Sequence, residues 1–135
     1  QVREAPHGLN NGSVVVRISF EEKALLLTGD AEWETDPNLI RWGDRIRADI
    51  LKSAHHGSRT SSTRDFLKGV GPHVVVVSCG RGNHFGHPAP EVIERYSEKG
   101  MQVFRTDQKG AIKFEISGKK TSVQSWLQKD RIILR

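Results

Sequence analysis

Three apolar runs of strand length, each cut off by a loop rich in acid or imidazole, constrain this 135-residue chain more than any other feature. Leu25-Leu26-Leu27-Thr28 gives way to Gly29-Asp30. Residues 48–53 run into His55-His56-Gly57-Ser58, and Val74-Val75-Val76-Val77-Ser78 opens into a Gly- and His-rich loop over 79–88. Runs this short suit strands, and four successive valines suit a buried one. If the three strands are neighbours pointing the same way, all three ends line one crevice, which is where α/β sheets place ligands.

The stretches between them read as connectors and helices. Residues 1–11 carry Pro6, Gly8, Asn10 and Asn11 and predict a loop. Residues 13–20 alternate and are β-branched, so they predict a strand that forms a hairpin with 24–28 through a turn at Glu21-Glu22. Residues 33–42 hold a short helix with Asp36 as its cap and Pro37 at its first position. A helix is predicted over 64–70, capped within Ser61-Ser62-Thr63 and broken at Gly71-Pro72, and another over 90–100 from Pro90 to Gly100. Strands follow over 102–105, 111–116 and 121–127, separated by turns at 107–110 and 118–120. Strands alternating with helices predict an α/β (α+β) layer, and hairpins at both ends predict a mixed sheet with flanking helices. The length is that of one domain.

Composition narrows the class. With 36% hydrophobic and 27% charged residues the chain reads as globular rather than disordered. Its longest apolar runs, 14–16, 24–27 and 74–77, fall far short of the roughly 18 residues of a membrane helix. One cysteine, Cys79, excludes an internal disulfide framework. Residue 1 is Gln with no signal-peptide pattern after it, so the natural start is expected to be processed, trimmed or outside the sequence. The net charge of +5 is carried by residues 100–135, with 8 Lys/Arg against 3 Asp/Glu, while residues 1–99 balance at 13 and 13. A basic quarter can attract phosphates or simply keep terminal strands soluble.

Candidate chemistry follows the strand ends. Asp30, held after a glycine at the end of a buried strand, can bridge two cations or serve as a turn or cap residue. Imidazole is the commonest ligand for zinc-like ions. Because His55 and His56 are adjacent and point different ways, one of them is expected to bind a given metal while the other touches substrate or acts as acid or base. His87, in Asn83-His84-Phe85-Gly86-His87-Pro88, contacts a metal or phosphate, or braces the loop before the helix at Pro90. Ser58, Ser61, Ser62 and Thr63 suit caps better than nucleophiles, since no base–orienter pair accompanies them. His7 and His73 read as ordinary loop or turn residues. Two or three donors are too few for a dinuclear centre, which wants roughly four to six ligands per ion.

Taken together these segments resemble a known family. Asn11-Gly12-Ser13 before a strand, Leu26-Leu27-Thr28-Gly29-Asp30, Ala48-Asp49-Ile50-Leu51-Lys52 leading to His55-His56-Gly57-Ser58, the Ser61-Ser62-Thr63 run, Val77-Ser78-Cys79-Gly80, Asn83-His84-Phe85-Gly86-His87-Pro88 and Arg105-Thr106-Asp107 with Gly110 follow the metallo-β-lactamase-like domain of the ComEC/Rec2 competence proteins. The resemblance covers roughly residues 10–116. It implies the second half of a four-layer αββα sandwich, a metal-dependent hydrolase and two divalent ions, Zn or Mn. Asp30 then matches the bridging ligand, His55 and His56 the late histidine region, and Ser58, Asn83 and His87 become substrate-contact candidates. Implied substrates are DNA or another phosphodiester in competence-related DNA uptake. Small esters hydrolysed by a stand-alone enzyme are an alternative.

The His-x-His-x-Asp-His motif of the family's first half is absent, and His7 is the only histidine before Asp30. The chain, 1–135, is therefore expected to be a single partial domain completed by a segment elsewhere in the same or another chain. Without that half it would be an incomplete, non-catalytic binding or assembly fragment. Alone it should pair with a second copy or cover the inner face of its sheet by other means. The resemblance implies a membrane-attached parent at the cell surface if competence-type, and a cytoplasmic one otherwise.

Overall fold

The computed structural model describes residues 8–117, 120–128 and 131–134. Residues 1–7 of the loop predicted over 1–11, with His7, and the tip of the turn at 118–119 lie outside the described residues, and Leu9–Gly12 of that loop forms a single helical turn. A five-stranded sheet runs in the order β1 (Val16–Phe20), β2 (Lys23–Leu27), β3 (Ile50–Lys52), β4 (Val74–Val77) and β5 (Gln102–Arg105). β1 pairs antiparallel with β2, and the remaining neighbours are parallel. The sheet is thus mixed, and sequential strands are spatial neighbours as short right-handed connections favour. Leu27, Lys52 and Val76 sit side by side in register, so β2, β3 and β4 end at one edge.

One face of this sheet is covered by helices. Ala24, Leu26, Leu51, Val75 and Val77 point toward α1 (Asp36–Ile40), α2 (Arg64–Val70) and α3 (Pro90–Glu98) and pack with Leu39, Phe66, Leu67, Val70, Val92 and Tyr96. Thr63 caps α2 as predicted, accepting a hydrogen bond from the Phe66 N–H at 3.3 Å. Asp36 differs from its predicted role. Thr35 takes the cap position, and Asp36 stands buried in the first turn, where Pro37 needs no N–H partner. Its carboxylate accepts the Thr63 N–H at 2.9 Å and so pins α1 to the start of α2. Burial pushes that carboxyl above its ordinary range. The turn predicted at 107–110 is a short helix, α4 (Thr106–Lys109), closed by Gly110.

The opposite face meets a second, antiparallel sheet of β6 (Ile112–Ser117), β7 (Lys120–Ser125) and β8 (Arg131–Leu134). Ile50, Val74 and Phe104 pack there against Val123, with Leu25, Val76, Ile112 and Phe114 around them. The strands of this second sheet carry Lys113, Lys120 and Arg131 of the basic quarter, and Lys113 and Arg131 are both paired with Glu115. Its cover is partial. Val16, Ile18 and Phe20 of β1 share the face of Leu25 by register, yet all three remain exposed. The expected loss of a packing partner is therefore not seen over β3–β5, where the second sheet covers the face, and is seen over β1.

Tyr96 ties the helical layer to the edge that carries the chemistry. Its fully buried hydroxyl shares hydrogen bonds with Ser53 Oγ, just past β3, at 2.7 Å and with Ser62 Oγ, ahead of α2, at 3.0 Å. Burial holds the phenol above its ordinary range, so it stays a neutral donor. Tyr96→Phe leaves two buried serine hydroxyls short of a partner and is expected to cost about 1–3 kcal/mol. A fall in the urea midpoint at constant slope measures it. An unchanged midpoint would remove the bridge from this account.

Candidate functional site

Asp30 reaches the edge of the sheet on a tightly packed loop. Gly29 adopts φ 56°, and a β-carbon there would stand 2.9 Å from the Ser13 Cβ. Ser13 Oγ accepts the Asp30 N–H at 3.0 Å, and Asn11 Oδ1 accepts the Glu32 N–H at 3.0 Å. The Asn11-Gly12-Ser13 segment thus buttresses the loop that presents both acids.

From β3, Ser53-Ala54 leads into a kinked turn in which His55 and His56 both take left-handed backbone angles, φ 45° and 54°. Two successive non-glycine residues in this region are strained, and such strain clusters where a side chain must be aimed. The aim is evident for each ring. His56 Nδ1 lies 2.6 Å from the Ser78 carbonyl. A carbonyl only accepts, so Nδ1 carries a hydrogen, and Nε2 is the nitrogen left to meet a ligand. That Nε2 faces Asp30 Oδ1 at 3.7 Å, with both side chains partly open to solvent. Backbone carbonyls fix metal-binding histidines in this manner.

His55 is oriented by a different partner. Its Nδ1 donates to Glu32 Oε1 at 3.1 Å, and the same oxygen accepts the Thr60 hydroxyl at 3.0 Å. A carboxylate holding one imidazole nitrogen fixes the ring's orientation and leaves the other nitrogen facing the mouth. The His87 ring approaches that of His55, with centroids 5.6 Å apart. Burial, with His55 and His56 nearby, holds His87 below the ordinary imidazole range and favours its neutral form.

Asp30, His55, His56 and His87 therefore gather at one mouth. Asn83 and Ser58 are engaged otherwise. The Asn83 amide donates to the Gly80 and His87 carbonyls at 3.0 and 2.6 Å, and its Oδ1 accepts the His87 N–H at 3.0 Å, so it braces the loop. Ser58 is buried, and its hydroxyl meets Thr60 Oγ1 at 3.0 Å. Ser61, read as a cap candidate, bonds back to the Ser58 carbonyl. His73 lies at the opposite end of β4, exposed, 4.0 Å from Asp49.

Two site residues were not singled out from sequence. Glu32 carried a weak signal, an acid two positions after Asp30. Lys52 carried a clearer one, an ammonium ending an otherwise apolar strand. Its Nζ donates to the Gly29 carbonyl at 3.4 Å, and burial lowers its pKa against the opposing pull of Asp30. Among the described residues, no three His, Cys, Asp or Glu side chains converge on a point that would hold a metal ion. Asp30 and His56 make two donors, a fit to part of a site and short of a closed one.

No protein-family model matches the chain. ComE operon protein 3 of Bacillus subtilis (strain 168) is 33% identical over 109 residues, covering 81% of this chain and 14% of that protein. Competence protein ComA of Neisseria gonorrhoeae is 37% identical over 106 residues, 78% of this chain and 15% of that protein. Recombination protein 2 of Haemophilus influenzae (strain ATCC 51907 / DSM 11121 / KW20 / Rd) is 31% identical over 134 residues, 90% of this chain and 17% of that protein. The chain spans between a seventh and a sixth of the length of these curated relatives.

Proposed function

The chain belongs to the ComEC/Rec2 family of competence proteins, and we propose that it is the second half of a metallo-β-lactamase-like domain in a longer polypeptide and helps hydrolyse phosphodiesters, DNA foremost, during DNA uptake. The observation that carries this reading is the Asp30–His56 pair. An acid and an imidazole with its Nε2 turned toward it, supplied by neighbouring parallel strands, face each other 3.7 Å apart. Two divalent ions, Zn or Mn, would activate a water and offset the charge developing on the phosphoryl oxygens. Asp30 would bridge them and His56 would ligate one.

The chain's own residues supply the rest. His55, its ring held at Nδ1 by Glu32, serves as the acid toward the departing alkoxide through Nε2. The Lys52 ammonium lies beside Asp30 and balances its charge when no cation is bound. The parent is proposed to be membrane-attached at the cell surface. No helix among the described residues is long and apolar enough to cross a membrane.

Mn²⁺- or Zn²⁺-dependent cleavage of single-stranded DNA and bis-p-nitrophenyl phosphate by the longer polypeptide tests the proposal. Cleavage that is absent, or indifferent to Asp30→Ala, refutes it, and cleavage of small carboxylic esters alone reassigns the substrate. Glu32→Gln is expected to lower the cleavage rate ten- to hundredfold, as loss of the carboxylate that orients a general acid does, with KM little changed. A drop below twofold would dismiss the His55–Glu32 pair.

A second reading is favoured by the two-donor count and by the open apolar stripe on β1. On it, the chain is an assembly module whose uncovered face docks the domain's first half or a second copy. Titration of the 135-residue chain, alone and with the other half, tests it: stoichiometric, tight uptake of two ions by the chain alone rules out an incomplete site, and uptake that stays weak after the other half is added leaves a non-catalytic module.

A further inference from the structure

Beside the Asp30–His56 pair, the loop after β4 shapes a separate recess of about 200 Å³, lined by His56, Cys79, Gly80, Asn83, Phe85 and His87. Phe85 is 83% exposed, and its ring lies nearly parallel to that of His87, 19° off with centroids 5.9 Å apart. A lone exposed aromatic needs no explanation by itself. This one forms a stacked pair with a ring that also abuts His55, in a recess that His56 also lines.

The loop is built to hold that pair in place. Asn83 clamps its two ends through the Gly80 and His87 carbonyls. The Cys79 N–H is fixed by Thr106 Oγ1 at 2.9 Å, and the Ala89 N–H by the Gly57 carbonyl at 2.9 Å. Beyond this, Gly80, Gly82 and Gly86 leave open space where side chains would stand. A flat, partly apolar slot next to a phosphate-directed acid and imidazole suits a planar ring attached to a phosphodiester, and every nucleobase offers such a face.

Resting on the phosphodiester reading above, we infer that Phe85 and His87 form a stacking subsite for one nucleobase next to the scissile phosphate. A base that stacks there has left its own duplex neighbours, so the subsite selects single-stranded nucleic acid. Phe85 is then a specificity-determining residue that touches substrate without reaching the reacting atoms.

Binding of uncleavable strands tests this without relying on hydrolysis. The probes are phosphorothioate tetranucleotides of equal charge, one bearing thymine on every sugar and one abasic, titrated into the full-length protein and followed by anisotropy. The thymine strand is expected to bind about tenfold tighter. Phe85→Leu should bring that ratio to near one, and Phe85→Trp should keep it. Because the side chain is solvent-exposed, Phe85→Leu leaves the fold intact, which circular dichroism confirms. A ratio of one in the unaltered protein, a ratio unmoved by Phe85→Leu, or a phosphorothioate hairpin binding as tightly as the open strand overturns the subsite. Repeating the titration with Asp30→Asn separates the two ideas. A preserved ratio beside lost hydrolysis supports the subsite independently, and intact hydrolysis with no base preference removes the subsite alone.

Discussion

Asp30→Asn is expected to lower metal-dependent phosphodiester cleavage by well over a hundredfold, more than removing a residue that merely orients a ligand. The substitution preserves shape and takes away the charge and one acceptor, which a bridging ligand cannot spare. The loop itself should stay in place. Its backbone is held by Ser13 Oγ on the Asp30 N–H and by the Gly29 carbonyl accepting from the His55 N–H at 3.0 Å, neither of which involves the carboxylate. Thermal stability should therefore change little while the affinity for Mn²⁺ or Zn²⁺, read by calorimetric titration, falls in step with activity. Equal metal affinity in the two proteins would show that Asp30 is a turn residue and not a ligand.

Gly57→Ala is expected to damage the fold and the mouth together. Gly57 adopts φ 80°, and a β-carbon there would stand 2.6 Å from the Pro88 Cβ and 3.2 Å from its Cα. The clash is with a rigid ring and backbone, so the loop after β4 must move away from His56. It also breaks the hydrogen bond from the Ala89 N–H to the Gly57 carbonyl. Overpacking and left-handed strain together are expected to cost about 2–4 kcal/mol, a fall in Tm of roughly 10 °C. Gly71→Ala is the matching control. It shares a left-handed φ of 64° but meets nothing within 4 Å, so it carries strain without a clash. If the two substitutions prove equally mild, Pro88 does not lock the two loops together.

Much of this arrangement was readable from the chain because burial and chemistry change abruptly at the same positions. Leu25 to Asp30, Leu51 to His56 and Val77 to the Cys79 loop each pass from apolar run to polar loop, and the three ends do meet at one edge. The helix over α2 follows from a clean cap and a clean stop. What escaped notice depends on contacts distant in sequence. Asp36 looks like a cap until Thr63 is seen beside it. Glu32 is an unremarkable loop acid until His55 and Thr60 converge on it. β8 went unread because Arg131-Ile132-Ile133-Leu134 is four residues with no alternation, given its place only by pairing with β7. Ser58 and Asn83 stood out as polar residues in marked segments, and adjacency alone cannot tell a group that faces a ligand from one that fastens its own turn.

Each member of the mouth hangs from its own strand-and-connector unit: Asp30 from β2, the two histidines from β3, and the Phe85–His87 stack from β4. The rim is therefore modular. Changes in the last loop can retune which chemical groups are admitted while the Asp30–His56 spacing, set by the register of β2 against β3, stays put. On the proposed reading, homologous proteins should accordingly diverge fastest in selectivity at the tip around Phe85 and slowest in reaction type.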